Sequence, residues 1–344
     1  MFRKIKPVAS AEELAQMLPV PRYLAENRID AVNQISRIIS GEDNRKLVIV
    51  GPCSADNQDA VCDYSERLAR VAQKIKSSVY VVMRVHTSKP RTRGEGYMGM
   101  IHMPDISSGI TDLNDGLRAA RSLHLRVAET SGLFTSDEML YPHCIRYISD
   151  IVAYLTLGAR SAEDQEHRFF ASGTDVPIGI KNPPSGSVYD LSGSVHAVRI
   201  PNEFLTDGYQ VQSSGNVWAH AILRGYVDID GNNIPNYGKE YVRKYTEIYC
   251  AQSAVVPSVV IDTGHANSGK NRMIQSDIVG EVLSLCANDR AYNSVVKGFM
   301  IESYIEDGNQ PFGGGIYGRS ITDPCLGWNK TERLLYDMAE KLGT

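Results

Sequence analysis

The chain has 344 residues and a formal net charge of −4, with 42% hydrophobic and 22% charged residues. This composition is typical of a globular protein with a large core, and the charge gives no reason to expect nucleic acid or a membrane surface as a partner. No apolar stretch approaches the roughly 18 residues of a membrane-spanning helix. Because no apolar segment follows the basic N-terminus and the six cysteines lack CxxC spacing, we expect free thiols and a cytoplasmic location.

The first 44 residues have helical patterning of their own. Ser10 stands shortly before the acidic Glu12, as an N-cap residue does at the start of a helix. Residues 30–39 carry apolar side chains at helical spacing, and Gly41 follows where a helix is expected to stop. We therefore expect residues 1–44 to form an N-terminal helical extension that packs outside the main domain, with an interface or regulatory role.

From residue 45 to residue 344, apolar runs of strand length alternate with amphipathic stretches of helical length. The eight apolar runs lie at residues 46–50, 79–83, 133–138, 154–159, 176–180, 218–223, 258–261 and 298–301. The helical stretches lie at residues 60–74, 113–123, 146–154, 240–251 and 277–287. Such alternation indicates parallel βαβ units, so we predict an α/β fold, a (β/α)8 TIM barrel over residues 45–344. Turn-forming residues between 209 and 238 predict a β-hairpin added to the barrel.

Each apolar run ends at a residue suited to hold a metal, a phosphate or a carboxylate. In a parallel barrel the carboxyl ends of all strands open on one face, where active sites are assembled. Residues that are far apart in sequence can therefore converge on one pocket. The endings are Cys53, Arg84, Glu138, Arg160, Lys181, Arg224, His265 and Glu302.

One set of these residues could bind a metal ion. It consists of Cys53, His265, Glu302 and Asp323. Thiolate, imidazole and carboxylate ligands together favour Mn, Fe, Co or Zn over Mg or Ca. From the residues alone the alternative stays open, because a single cysteine or glutamate at a strand end is more often a structural group. His265 is the better candidate, since Gly264 before it allows the chain to turn sharply.

A second set is cationic and indicates an anionic ligand. It consists of Arg84, Lys89, Arg91, Arg160, Lys181 and Arg224. Guanidinium groups match carboxylate and phosphate oxygens, and several cations at neighbouring strand ends would repel one another without an anion. We infer a ligand with two phosphates, or with a phosphate and a carboxylate; solvated rim arginines are the alternative. Glu138 is expected to orient one of these cations, and a general-acid role is the alternative.

Motifs in the same order as in one enzyme family run from about residue 45 to residue 330. The chain resembles type I 3-deoxy-D-arabino-heptulosonate 7-phosphate (DAHP) synthase in the strings LVIVGPCS (47–54), MRVHTSKPRT (83–92), GARSAEDQEHRFFASG (158–173), VIDTGHANSGK (260–270), GFMIES (298–303) and YGRSITDPCLGW (317–328). This resemblance implies a barrel that condenses phosphoenolpyruvate with erythrose 4-phosphate and releases phosphate, the first step of the shikimate pathway. It also implies a divalent ion, Mn²⁺ before Fe²⁺, Co²⁺ or Zn²⁺, and a homodimer or homotetramer.

The resemblance assigns roles to individual positions. Lys89, Arg84, Glu138 and His265 are implied to be catalytic, with Lys89 relaying a proton. The implied metal ligands are Cys53, His265, Glu302 and Asp323. The implied phosphoenolpyruvate site is Arg84, Lys89, Glu138, Arg160, Lys181 and Arg224, and the acceptor loop is Lys89, Pro90, Arg91 and Thr92.

Three segments depart from the family pattern. Residues 93–104 read RGEGYMGMIHMP, with Met98 in place of a family lysine, so a different aldehyde acceptor is an alternative. Residues 183–212 and 226–234 differ where the family builds its feedback pocket, so we expect weak or absent inhibition by phenylalanine, tyrosine or tryptophan. A non-catalytic protein that binds sugar phosphates is a further alternative, although every candidate residue is present.

Overall fold

The computed structural model describes residues 1–91, 94–108, 110–253 and 255–343. The strands in these residues are β1 (Lys46–Gly51), β2 (Val79–Arg84), β3 (Thr135–Glu138), β4 (Tyr154–Leu157), β5 (Ile178–Lys181), β6 (Glu203–Thr206), β7 (Tyr209–Gln212), β8 (His220–Leu223), β9 (Tyr226–Val227), β10 (Asn233–Ile234), β11 (Val259–Asp262) and β12 (Val296–Glu302). Eight of them form a closed barrel in the order β1-β12-β11-β8-β5-β4-β3-β2, and every pairing in it is parallel. The predicted (β/α)8 barrel is confirmed.

Helices alternate with the barrel strands and cover them. They are α1 (Ala11–Met17), α2 (Arg22–Ser40), α3 (Gln58–Ile75), α4 (Leu113–Ser131), a 3₁₀ helix (Pro142–Tyr147), α5 (Gln165–Ser172), α6 (Val188–Arg199), α7 (Lys239–Gln252), α8 (Ile274–Asn288), α9 (Arg290–Val295) and α10 (Trp328–Gly343). Side chains of Asn57, Asp112 and Asp164 cap the first turns of α3, α4 and α5, which satisfies backbone donors that a helix start leaves unpaired. None of the described helices is long and apolar enough to cross a membrane.

The seam between β1 and β12 closes the barrel. Leu47 of β1 pairs with Gly298 of β12 on one side and with Tyr80 of β2 on the other. A side chain at position 298 would lie 1.9 Å from the Leu47 carbonyl oxygen, so only glycine permits this approach. All residues of β1 are buried, as expected for strands covered on both faces.

The N-terminal extension is helical, as predicted, and packs directly on the barrel. Ser10 forms a capping box with Glu13 at the start of α1, and α2 ends at Gly41 in the left-handed conformation. Ile35 and Ile38 of α2 are fully buried and belong to the main core. The extension therefore shares a core with the barrel, and its interface or regulatory role stays a prediction.

The helix predicted at residues 146–154 is wrong. The chain there forms the end of the 3₁₀ helix and then turns before β4. Distant arginines take up its backbone carbonyls, since Arg121 donates to Tyr147 O (2.8 Å) and Arg28 donates to Ser149 O (2.7 Å). In a helix these carbonyls would accept from backbone N–H groups, but here they accept from arginine side chains. The apolar residues of the segment therefore pack in a turn.

Two hairpins decorate the barrel. The predicted one joins β9 to β10, and its turn is held by Asp228 Oδ1, which accepts from the backbone N–H groups of Asp230 (3.0 Å) and Asn232 (2.8 Å). The second joins β6 to β7 through Asp207-Gly208, both at positive φ. Its Asp-Gly turn is a typical hairpin sequence, but the sequence analysis missed it.

Candidate active site

The polar strand endings converge at the carboxyl end of the barrel. Arg84, Glu138, Lys181 and Glu302 are the last residues of β2, β3, β5 and β12. Arg224 follows β8 directly. Since these strands are neighbours in one closed sheet, their last side chains reach a common space.

Three of the four predicted metal ligands lie together. One ligand atom each from Cys53, Glu302 and Asp323 lies within 4.8 Å of the others. Cys53 and Glu302 are buried and Asp323 is half-buried. Metal–ligand bonds are about 2.0–2.3 Å long, so one ion can reach all three atoms with small adjustments. A thiolate with carboxylates fits a divalent transition ion.

His265 stands beside this cluster and makes its ring contact with Asp262. Its Nδ1 lies 3.0 Å from Asp262 Oδ2, and it lines one small cavity together with Glu302 and Asp323. An imidazole held at Nδ1 by a carboxylate offers Nε2 to an ion. The sharp turn is made by His265 itself, at φ 52°, while a side chain at Gly264 would lie 3.3 Å from Asp262 and from Glu302.

The surroundings of the Cys53 thiol disfavour its ionised form. Burial raises its pKa and Glu302 adds to the effect, whereas Lys89 opposes it. Burial also acts to raise the pKa of Asp323, but Lys89 and His265 outweigh it and the pKa is lowered. An ion must therefore displace the thiol proton, which makes metal affinity depend on pH.

Lys89 links the ligand cluster to the loop after β2. Its Nζ donates to Cys53 O (2.8 Å) and to Cys53 Sγ (3.0 Å). Burial acts to lower the pKa of Lys89, but Cys53 and Glu302 outweigh it, so the pKa is raised. Lys89 is consequently a charged donor beside the candidate metal ligands.

Arg84 is fully buried on the other side of the cluster. Its Nη2 donates to Glu302 Oε1 at 3.1 Å, and its Nη1 donates to Pro52 O. Its Nε has no partner among the described residues. Burial acts to lower its pKa, but Glu302 and Cys53 outweigh it and raise the pKa. Arg84 thus remains a cation with a donor to spare.

Lys181 and Asp262 form a buried ion pair next to these residues, and the half-buried His265 contacts Asp262. Lys181 Nζ lies 3.4 Å from Asp262 Oδ2, and both side chains are almost completely buried. Burial acts to raise the pKa of Asp262, but His265 and Lys181 outweigh it and hold the pKa far below its usual range. The sequence analysis gave Asp262 no role, although it opens the motif that carries His265.

The remaining cations lie towards the rim. Burial, together with the neighbouring Arg160, lowers the pKa of the half-buried Arg224, against the effect of Asp262. Arg160 is exposed. A bound anion would stabilise the charge on Arg224 that burial and Arg160 disfavour, which agrees with the predicted anionic ligand.

The predicted acceptor loop is only partly assembled. Lys89 reaches the ligand cluster and Pro90 is half-buried beside it. Arg91 is exposed and donates through Nε to Glu95 O (2.8 Å), within its own loop. Thr92 lies outside the described residues. Tyr97 anchors the loop, since it is buried and donates to Ala55 O (3.2 Å).

The ends of β2 and β3 are fixed by a buried network that the sequence analysis missed. Asp137 Oδ1 accepts from the N–H groups of Thr87 (3.0 Å) and Glu138 (2.7 Å). Asp137 Oδ2 lies 3.2 Å from Nε2 of His124, on α4. His86 lies beside this network with both ring nitrogens unpartnered among the described residues. The sequence alone does not show whether the ring nitrogens of a histidine have hydrogen-bond partners.

Buried cations around a thiol and carboxylate cluster, at the carboxyl end of a closed barrel, define a barrel enzyme that acts on a small anionic substrate with a divalent ion. The chain belongs to the DAHP synthetase I family, whose family model matches residues 24–336.

Known relatives agree with this assignment along nearly the whole chain. The Trp-sensitive phospho-2-dehydro-3-deoxyheptonate aldolase of Enterobacter agglomerans is 36% identical, over 98% of this chain and 95% of its own length. The Phe-sensitive enzyme of Escherichia coli K12 is 34% identical, with the same coverage. The structure of phospho-2-dehydro-3-deoxyheptonate aldolase from Francisella tularensis SCHU S4 superimposes with a TM-score of 0.92 at 30% identity and covers 100% of this chain and 99% of that one.

Proposed function

We propose that this protein is a DAHP synthase, which condenses phosphoenolpyruvate with erythrose 4-phosphate to give DAHP and inorganic phosphate. The family membership and the names of the relatives support the proposal. The observation that carries it is the placement of three buried or half-buried cations, Arg84, Lys89 and Lys181, around a cluster of Cys53 and two carboxylates. Enol phosphate and metal ion can then occupy adjacent positions.

The cations would hold phosphoenolpyruvate in a reactive pose. Lys181, Arg160 and Arg224 stand on one side of the site and are suited to the phosphate, while Arg84 and Lys89 are suited to the carboxylate. Fixing both ends of the substrate places its C3 near the acceptor and supplies proximity as well as charge stabilisation. Glu138 would limit the positive charge and orient the cations, as its effect on Arg224 indicates.

Cys53, His265, Glu302 and Asp323 would hold a divalent ion, for which we propose Mn²⁺ ahead of Fe²⁺, Co²⁺ and Zn²⁺. When bound, the ion supplies Lewis acidity towards the carbonyl of the acceptor. Asp262 keeps the His265 ring oriented through Nδ1. Lys89 donates to the proposed cysteine ligand, so it would pass a proton to the oxygen of an aldehyde bound beside the ion.

In the reaction, C3 of phosphoenolpyruvate forms a bond with C1 of erythrose 4-phosphate. Water adds at C2, and the bond between C2 and the bridging oxygen breaks to release phosphate. One proton of the water ends on the oxygen that was the aldehyde, which is the transfer proposed for Lys89, and the other ends on phosphate. Pro90, Arg91 and Thr92 are proposed to hold the acceptor and its phosphate.

Release of phosphate from both substrates tests the proposal. With Mn²⁺ and both substrates present, we expect phosphate release that requires each substrate and stops when a chelator is added. No turnover with erythrose 4-phosphate would contradict the proposed function. We also propose that the protein is a homodimer or homotetramer and that it is cytoplasmic. Sedimentation of the same preparation tests the oligomeric state.

The altered loop at residues 93–104 favours a second candidate, the same chemistry with another aldehyde. Met98 is half-buried, and its N–H lies 3.5 Å from Met103 Sδ, so this part of the loop is apolar. Turnover of a panel of phosphorylated and unphosphorylated aldehydes distinguishes the two candidates. A clear preference for erythrose 4-phosphate eliminates the second.

We also propose that aromatic amino acids inhibit this enzyme weakly or not at all. The proposal rests on the divergent residues 183–212, which contain α6 and the hairpin of β6 and β7. A cavity of about 840 Å³ lies between that hairpin and α2, with Arg28, Phe170 and Phe204 in its wall. Inhibition by phenylalanine, tyrosine or tryptophan would contradict the proposal.

A further inference from the structure

His86 is a buried imidazole whose hydrogen-bonding capacity is unused. Its side chain is 1% exposed, and neither Nδ1 nor Nε2 has a partner among the described residues. Buried polar groups are almost always hydrogen-bonded, so an exception requires an explanation. The position of His86 supplies one, since it lies between Arg84 and Lys89 in sequence and both of these face the candidate site.

The groups around His86 come from five elements. Arg84 ends β2, Lys89 follows in the loop, Lys181 ends β5 and His265 follows β11, and all four disfavour a charged imidazole. Burial is the largest cause and lowers the pKa of His86 well below its usual value. The opposing group is Glu138 at the end of β3, whose Oε2 lies 3.6 Å from His86 Nδ1.

We propose that His86 is a further catalytic residue, which accepts a proton from the water that adds to C2 of the enol phosphate. The inference rests on the proposed function and deepens it. Glu138 lies just beyond hydrogen-bond distance of Nδ1, so a small closure pairs Nδ1–H with its carboxylate. Nε2 is then the free acceptor of the ring, because a neutral imidazole has one donor and one acceptor nitrogen.

The proton transfer balances the reaction. The water oxygen forms its bond to C2 as one of its protons passes to His86 Nε2, and Glu138 stabilises the imidazolium. That proton then moves to an oxygen of the phosphate while the bond from C2 to the bridging oxygen breaks. The second proton of the water leaves when the C2 carbonyl forms, and it reaches the former aldehyde oxygen through Lys89.

Substrate binding makes His86 basic at the right moment. In the free enzyme burial, and after it Arg84, Lys181 and Lys89, lower the pKa of His86 and disfavour its charged form. An enol phosphate with a carboxylate and a phosphate neutralises these cations, which removes the repulsion that opposes protonation. His86 is therefore a stronger base when substrate occupies the site than when the site is empty.

The substitution His86→Gln tests the proposal, with His143→Gln as its control, because His143 is exposed and contacts Glu166, and neither residue has a role in the candidate site. We expect kcat of H86Q to fall about 100-fold or more, with the KM for phosphoenolpyruvate within about threefold and the acidic limb of the pH profile of kcat removed. Bound metal and thermal midpoint should match those of the unaltered enzyme. A kcat within threefold, or a change in KM alone, overturns the proposal.

A binding measurement separates this inference from the proposed function. In enzyme with ¹⁵N-labelled histidine rings, phosphoenolpyruvate should shift the resonance that H86Q lacks. A shift in an enzyme that fails to release phosphate refutes the DAHP synthase assignment and leaves the contact between His86 and the enol phosphate supported. Absence of a shift when phosphoenolpyruvate is bound refutes the role of His86, whatever the turnover.

Discussion

Lysine and arginine side chains are buried or half-buried at both ends of the barrel, but their hydrogen-bond partners differ between the two ends. At the amino end, Lys46 opens β1 and its Nζ donates to Asn293 Oδ1 (2.8 Å) and to Val296 O (2.6 Å). Arg45 beside it forms an ion pair with Asp43 at 2.6 Å. At the carboxyl end, Arg84 keeps an unpartnered Nε among the described residues. A buried charged side chain does not by itself indicate a functional site. A buried charged side chain with an unused hydrogen-bond donor does.

The pKa directions support this distinction. Burial lowers the pKa of Lys46, against an opposing effect of Cys286 that does not outweigh it. At the other end, Cys53 and Glu302 overcome the effect of burial and raise the pKa of Lys89. The amino end therefore tolerates a charge that packing requires, and the carboxyl end maintains charges of both signs at close range. The following predictions test this difference, from the largest expected effect to the smallest.

Loss of the thiol ligand should have the largest effect. We expect Cys53→Ala to lower activity about 1,000-fold or more and to abolish stoichiometric metal binding, because a ligand of the ion is removed. Cys286 is the matched control, since it is also buried but lies near Lys46 at the amino end. Metal content and the rate of phosphate release should be the same in Cys286→Ala as in the unaltered enzyme. Equal metal loss in both variants would contradict the assignment of Cys53.

Removal of a cation at the carboxyl end should weaken substrate binding. We expect Lys181→Ala to raise the KM for phosphoenolpyruvate about 100-fold or to abolish turnover, because a buried anion loses its charge partner and Asp262 loses a neighbour. Steady-state kinetics with varied phosphoenolpyruvate measure the change. Unchanged kinetics would eliminate the proposed role of Lys181.

Asp56, in the loop after β1, should make the free energy of unfolding depend on pH. Burial raises its pKa to about 7, and its Oδ1 has no partner among the described residues. The folded state keeps this proton between about pH 4 and 7 while the unfolded state loses it, so stability falls as the pH rises through that range. We expect Asp56→Asn to stabilise the protein by about 1–3 kcal/mol at pH 8 and by almost nothing at pH 4. Equal effects at both pH values in denaturant titrations would refute this prediction.

At the amino end, removal of a buried cation should affect stability and leave catalysis intact. We expect Lys46→Met to lower the free energy of unfolding by about 1–2 kcal/mol, because Asn293 Oδ1 and Val296 O lose their donor while the desolvated charge is also removed. The kinetic constants should stay within about twofold of the unaltered enzyme. A large loss of kcat in a folded variant would show that the two ends do not differ as described.

The sequence predicts much of the site because topology carries most of the information. Arg84, Lys181 and Glu302 each end an apolar run, and parallel strands bring such residues to one face. The helix expected at residues 146–154 fails because Arg28 and Arg121 satisfy its carbonyls from distant parts of the chain. His86 was missed for a related reason. Its ring nitrogens lack hydrogen-bond partners because of how three other strands and their loops surround it, which the sequence does not show.

The seam between β1 and β12 has a consequence for how the protein is made. Cys53 follows the first barrel strand, Glu302 ends the last one, and Asp323 lies further on. During synthesis, the ligand set is complete only after nearly the entire chain has left the ribosome. With the ion proposed above, a nascent barrel would therefore be unable to bind it early, and metal binding would indicate that the first and last strands have paired.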